Sequence, residues 1–171
     1  MPDDIVEILF SEEQIRARVQ DLARQITNDY KSQIVLVPIL RGSVFFATDL
    51  ARLIELPLSM DFLSISSYGE NSEGVVRITK DLEENIAGKD VLLIEDIVDT
   101  GFTLKYLLRT LQSRNPKSLE VCTLLDRRAR RIIEIDLKYI GFEIPDKFVV
   151  GYGLDYRQHY RNLPYIGVVK P

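Results

Sequence analysis

Apolar positions along this chain follow two alternating rhythms. Short unbroken or alternating apolar runs predict strands at 34–40, 58–66, 75–78, 90–97, 119–125, 148–152 and 166–169. Between them, apolar residues recur every three or four positions, the mark of one buried helix face. Ile15, Val19, Leu22 and Ile26 are spaced by 4, 3 and 4, and predict a helix over 12–30. Ser11-Glu12-Glu13-Gln14 opens that helix as a capping box. A second helix is predicted over 44–54, after a turn at Arg41-Gly42-Ser43. A third is predicted over 102–112, with Leu104, Leu107, Leu108 and Leu111 on one face. The polar, glycine-flanked stretch 68–74 predicts an exposed, mobile loop between antiparallel strands.

Strands alternating with helices predict an α/β fold with a central, mostly parallel sheet flanked by helices on both faces. Ligands of such sheets bind beyond the carboxyl ends of the strands. Arg41, Glu95 and Arg127 all lie just past predicted strand ends, so one cleft is expected to gather them. The chain shows no internal repeat, no low-complexity tract, no GxxxxGK[ST] and no GxGxxG.

Composition narrows the functions. A length of 171 residues suits one domain, and 46% hydrophobic against 28% charged residues suits a sizeable core. A net charge of −4 argues against broad, non-specific nucleic-acid binding. Cys122 is the single cysteine and sits in the apolar run LEVCTLL, which predicts a buried strand thiol. His159 has no second histidine for a metal site and reads as a polar surface residue. Arg128, Arg130 and Arg131 read as a solvated basic face. No apolar stretch approaches the ~20 residues of a membrane span. MPDDIVEILF has no signal pattern, so a cytoplasmic location is expected.

The chemistry concentrates in residues 91–103, VLLIEDIVDTGFT. An apolar run ends in Glu95 and Asp96, passes through Asp99, Thr100 and Gly101, and enters a helix at Thr103. A turn at a helix N-terminus aims several backbone N–H groups at one spot and favours an anion. Two carboxylates beside an anion make sense when a divalent cation or a ribose diol lies between them.

This string resembles the phosphoribosyl-diphosphate (PRPP) signature of the type I phosphoribosyltransferase family. Leu40-Arg41-Gly42-Ser43 resembles that family's pyrophosphate loop, often built with a non-proline cis peptide. Ser67-Tyr68-Gly69 resembles the start of its flexible loop. GFEIPDKFVVGYGLDY, from Gly141 to Tyr156, and Tyr160-Arg161-Asn162-Leu163-Pro164 resemble the hypoxanthine-guanine branch. The match spans nearly the whole chain. It implies the type I phosphoribosyltransferase fold as a single domain over 1–171, with a small hood from the N-terminal part and about 128–171.

The implied reaction joins PRPP and hypoxanthine or guanine into IMP or GMP and pyrophosphate, with Mg²⁺ as cofactor. By resemblance, Glu95 and Asp96 serve the ribose hydroxyls and one Mg²⁺. Asp99, Thr100, Gly101, Phe102 and Thr103 hold the ribose 5′-phosphate. Leu40, Arg41, Gly42 and Arg161 serve pyrophosphate, and Asp155 holds a second Mg²⁺, partly through water. Asp99 stands at the general-base position facing N7, where burial beside a phosphate is expected to raise its pKa. A purely structural alternative makes Asp99 the N-cap of the following helix. Phe148 would stack on the purine, Val149 and Asp155 would bond it through their backbones, and Arg127 would donate to O6.

Lys147 has two readings, a purine contact or a structural one. Arg41 and Arg127 replace residues that are commonly lysine in the family, which leaves a xanthine preference open. A PRPP-sensing regulator of another class would lack the catalytic acid, which this chain keeps. The resemblance also implies a homodimer or homotetramer, with neither nucleic acid nor membrane as a partner.

Overall fold

The computed structural model describes residues 4–68 and 75–170. Strand β1 (Ile5–Phe10) leads into helix α1 (Glu12–Asp29), then β2 (Ile34–Leu40) and α2 (Val44–Leu53). Four strands follow: β3 (Leu58–Met60), β4 (Leu63–Tyr68), β5 (Val75–Lys80) and β6 (Asp90–Val98). Helix α3 (Phe102–Gln112), β7 (Ser118–Asp126), β8 (Tyr139–Glu143), β9 (Val149–Val150) and β10 (Ile166–Val169) complete the chain.

The main sheet runs β5-β4-β2-β6-β7-β8, with β3 also paired to β2. All pairings in it are parallel except β4 with β5. Side chains alternate across the central strands, so each strand feeds two cores. Leu36, Leu92, Ile94 and Cys122 pack under α1 and α2. Val35, Val37, Leu93 and Val121 pack under α3. The expected α/β sheet with helices on both faces is therefore present. The strand thiol of Cys122 is fully buried, and burial pushes its pKa up.

Local signals explain most element boundaries. The capping box forms in full: the Ser11 amide donates to the Gln14 side chain at 2.9 Å, and the Gln14 amide to the Ser11 hydroxyl at 3.3 Å. The expected strand 58–66 instead breaks into β3 and β4, because Asp61 makes a buried bend. Its carboxylate accepts the amides of Phe62 at 2.8 Å and of Glu83 and Glu84 at 2.7 Å. The expected strand 148–152 shortens to Val149–Val150, because Gly151 and Tyr152 turn to φ of +100° and +50°.

Two strands were hidden in the pattern. β1 lies in an acidic segment, and β8 in a mixed one whose burial alternates along YIGFE. β1 pairs antiparallel with β10, and β10 with β9, in a separate three-stranded sheet. That small sheet joins segments 5–10 and 166–169, which lie far apart in the sequence. The loop 69–74 lies outside the described residues.

Candidate active site

The carboxyl ends of β2 and β6 and the N-terminus of α3 enclose a cleft of about 280 Å³. Leu40, Gly42, Glu95, Asp96, Asp99, Thr100, Gly101 and Thr103 line it together. The residue preceding α3 is Gly101, in the left-handed region at φ +92°, and α3 has no side-chain cap. Asp99 is therefore not the helix N-cap. The first amides of α3 face the cleft end of the turn without a competing side-chain acceptor. Gly101 also has no room for a side chain, since a Cβ would stand 2.7 Å from the Ile133 carbonyl oxygen.

Glu95 is buried at the end of β6, and Asp96 is half-buried beside the cleft. Burial pushes the Glu95 carboxyl well above the usual range, and the Asp96 charge adds to it. Burial also pushes Asp96 up, to about 6, against the pull of the Ile97 amide and Arg161; Asp155 raises it further. Among the described residues neither acid forms an ion pair. Two adjacent carboxylates with unrelieved charge fit a divalent cation or polyol ligand. No three His, Cys, Asp or Glu side chains converge among the described residues. A cation here would thus take further oxygens from substrate and water, the usual habit of Mg²⁺.

The Leu40–Arg41 peptide bond is cis. Gly42 follows it in close contact with two walls. A Cβ on Gly42 would fall 1.7 Å from an Asp96 carboxylate oxygen, and a Cβ on Gly153 would fall 2.0 Å from the Gly42 carbonyl oxygen. Two backbones and the Asp96 carboxylate thus meet where only glycine fits. The Arg41 guanidinium donates to the Gln158 side-chain oxygen at 3.0 Å, and Arg161 donates to the same oxygen at 3.1 Å. Arg161 further holds the Gly153 carbonyl at 2.6 Å and the Asp155 carboxylate at 2.9 Å. Asp155 also accepts the Gln158 amide at 2.7 Å. Gln158 carried no signal in the sequence; its importance comes from bridging two arginines distant in the chain.

Arg127 is buried, and its Nη1 donates to Asp99 Oδ2 at 3.3 Å. Its Nε and the Asp99 Oδ1 have no protein partner among the described residues. The Asp99 side chain as a whole is 40% exposed, although its Oδ1 is shielded from solvent. Arg131 departs from the solvated face expected of it. It pairs with Asp126 in the interior and donates to the Asp99 backbone carbonyl at 2.9 Å. Arg128 and Arg130 do lie at the surface, Arg130 paired with Asp146. His159 is exposed as well.

The purine-binding set divides. Phe148 is 40% exposed, and its ring and that of Tyr156 form a T-shaped pair at 5.5 Å. Val149 is buried in β9. Lys147 turns away to Glu7 at 2.5 Å, the structural one of its two readings. Ser67 and Tyr68 end β4.

A profile of the phosphoribosyl transferase domain matches residues 6–157. The chain belongs to the phosphoribosyltransferase family. A Mycobacterium avium protein named hypoxanthine-guanine phosphoribosyltransferase is 49% identical over 179 residues, covering 99% of this chain and 88% of that protein. A Staphylococcus aureus (strain Mu50) protein of the same name is 52% identical over 174 residues, covering 100% and 97%. The crystal structure of a hypoxanthine phosphoribosyltransferase from Staphylococcus aureus matches with a TM-score of 0.96 at 51% identity, covering 100% of this chain and 95% of that one. In this phosphoribosyltransferase the cleft acids, the α3 turn and the glycine contact lie at the carboxyl ends of parallel strands, where ligands of such sheets bind.

Proposed function

We propose that this phosphoribosyltransferase acts in purine salvage, transferring the 5-phosphoribosyl group from PRPP to N9 of hypoxanthine or guanine. The products are IMP or GMP and pyrophosphate. The observation that carries this reading is the cleft itself: the paired acids Glu95 and Asp96, the Leu40–Gly42 loop and an uncapped helix N-terminus line one cavity. Full-length relatives bearing the hypoxanthine-guanine name support the choice of base.

The 5′-phosphate rests on the turn Asp99 to Thr103, where the uncapped amides of α3 donate to its oxygens. Phe102 begins that helix and Thr103 adds a hydroxyl. Glu95 and Asp96 accept from the ribose hydroxyls. Leu40, Arg41, Gly42 and Arg161 receive pyrophosphate, whose leaving charge two guanidinium groups stabilise. Mg²⁺, held by Glu95 and Asp96 and by Asp155, would neutralise charge on the departing pyrophosphate. Ser67 and Tyr68, at the end of β4, correspond in this reading to the start of the family's flexible loop. Cleavage at C1′ leaves positive charge on the ribose, as in glycoside hydrolysis.

Phe148 stacks on the purine, and the Val149 and Asp155 backbones bond its edge. Asp99 takes the purine proton at N7, and Arg127 donates to O6. A donor at that position rejects adenine, whose amino group also donates. The reading includes a homodimer or homotetramer in the cytoplasm. Among the described residues no helix is long and apolar enough to cross a membrane.

A steady-state assay with PRPP, Mg²⁺ and each of hypoxanthine, guanine, xanthine and adenine tests this. Turnover of hypoxanthine and guanine, abolished by EDTA, is expected. Dominant activity on xanthine would overturn the base assignment, and no turnover of any base would overturn the enzyme reading. Asp99→Asn is expected to lower kcat roughly 10²–10⁴-fold, the usual value of a positioned base.

A further inference from the structure

Three donors hold the turn that carries Asp99 from behind. Arg131 Nε donates to the Asp99 carbonyl at 2.9 Å, and the amides of Ile132 and Ile133 both donate to the Thr100 carbonyl at 3.0 Å. The second arm of the Arg131 guanidinium bonds the Asp126 carboxylate. These two side chains are only 6% and 5% exposed. Asp126 ends β7 opposite Val98, one residue before Asp99. The pair therefore ties the turn to the neighbouring strand. The Asp99 carboxylate is held far less firmly, with one 3.3 Å contact to Arg127 and an unpartnered Oδ1 among the described residues. Its aim is thus set by its backbone, and its backbone is set by Arg131.

We propose that the buried Asp126–Arg131 pair is the positioning element for the proton acceptor Asp99. This rests on reading Asp99 as the general base. A planar fork suits the task, because one guanidinium meets two acceptors in a fixed geometry. Lysine keeps the charge but cannot hold both acceptors in that arrangement. Buried ion pairs contribute little net stability, so geometry is the reason to keep one here.

The test is a double-mutant cycle read by kcat and by the KM for PRPP. Arg131→Lys is expected to lower kcat roughly 10- to 100-fold, the cost of misplacing a reacting group by about 1 Å. The KM for PRPP should change less than kcat, because the Ile132 and Ile133 amides still hold the Thr100 carbonyl of the turn. Combined with Asp99→Asn, Arg131→Lys should cost nothing further, because the group it aims is gone. A kcat loss of equal size in both backgrounds, or an unchanged kcat in folded Arg131→Lys, overturns the proposal. Asp126→Asn serves as a second variant if Arg131→Lys fails to fold, with the same expected non-additivity and the same overturning results. The function reading fails separately, by absent turnover in the unmodified enzyme or by full kcat in Asp99→Asn. An Arg131→Lys loss that persists without Asp99 overturns the positioning role alone.

Discussion

The cleft turn and the loop at 151–161 that packs against Gly42 are built by different means. The turn at 95–103 uses consecutive residues: a strand end, two acids, a glycine in the left-handed region and a helix N-terminus. The loop at 151–161 uses contacts across the chain. Arg41 meets Gln158 over 117 positions, and Tyr160 reaches Asp4 over 156. Tyr152, Arg157, Gln158 and Tyr160 all hold positive φ, at 50°, 51°, 69° and 75°. Each such residue costs about 1–2 kcal/mol relative to ordinary backbone. The first is a local motif that the strand and helix support. The second is a strained arrangement held by distant partners.

Gly42 packs against both the turn and the loop. Gly42→Ala must push the Asp96 carboxylate aside. A loss of about 100-fold or more in kcat/KM for PRPP is expected from steady-state kinetics. A loss below tenfold would mean that the Asp96 carboxylate yields easily.

Glu95→Gln separates function from stability in the turn. The folded-state pKa of Glu95 lies above its unfolded value, so the fold favours the protonated form. That contribution is fully present below the unfolded pKa, about 4.3, and is lost as pH rises through the folded value. Above it, the ligand-free protein carries an unfavourable buried charge. Glu95→Gln is therefore expected to raise the Tm at alkaline pH relative to the unmodified protein, while lowering activity. The gain should shrink towards pH 5. A lower Tm at pH 8 would contradict the burial argument.

The loop should respond more softly. Gln158→Ala removes the acceptor shared by Arg41 and Arg161, and kcat/KM for PRPP should fall roughly 3- to 10-fold, about 1 kcal/mol. The smallest effect is expected at Arg157, which is exposed and whose guanidinium lies 5.2 Å from the Tyr156 ring. Arg157→Gly relieves the positive φ but adds unfolded-state freedom, so calorimetry should find stability within about 1 kcal/mol of the original. A larger loss would show that the ring contact holds the loop.

This contrast also governs what the sequence revealed. The central strands, all three helices and the acids of β6 follow from periodicity and short motifs, and the structure places them nearly where the pattern does. Asp61 broke a predicted strand because a buried carboxylate collecting three amides has no periodic signature. Arg131 looked like its neighbours on a charged stretch, and only the fold turns it inward onto Asp126. Gln158 and Gly153 matter through partners more than 100 residues away, which no local pattern encodes. Lys147 sits within a family motif, yet its side chain serves Glu7 on β1.

The three-stranded sheet has a consequence for the order of events at the ribosome. Strands β2, β6 and β7 and all three helices have been synthesised once residue 126 has emerged. β9, which carries Val149, pairs with β10, and β10 with β1, so this sheet waits for residues 166–169. Domains assemble from the leading end as translation proceeds. The turn at 99–103 is thus synthesised well before the wall beside Phe148 can close, and β1 stays without its strand partner until residues 166–169 have emerged.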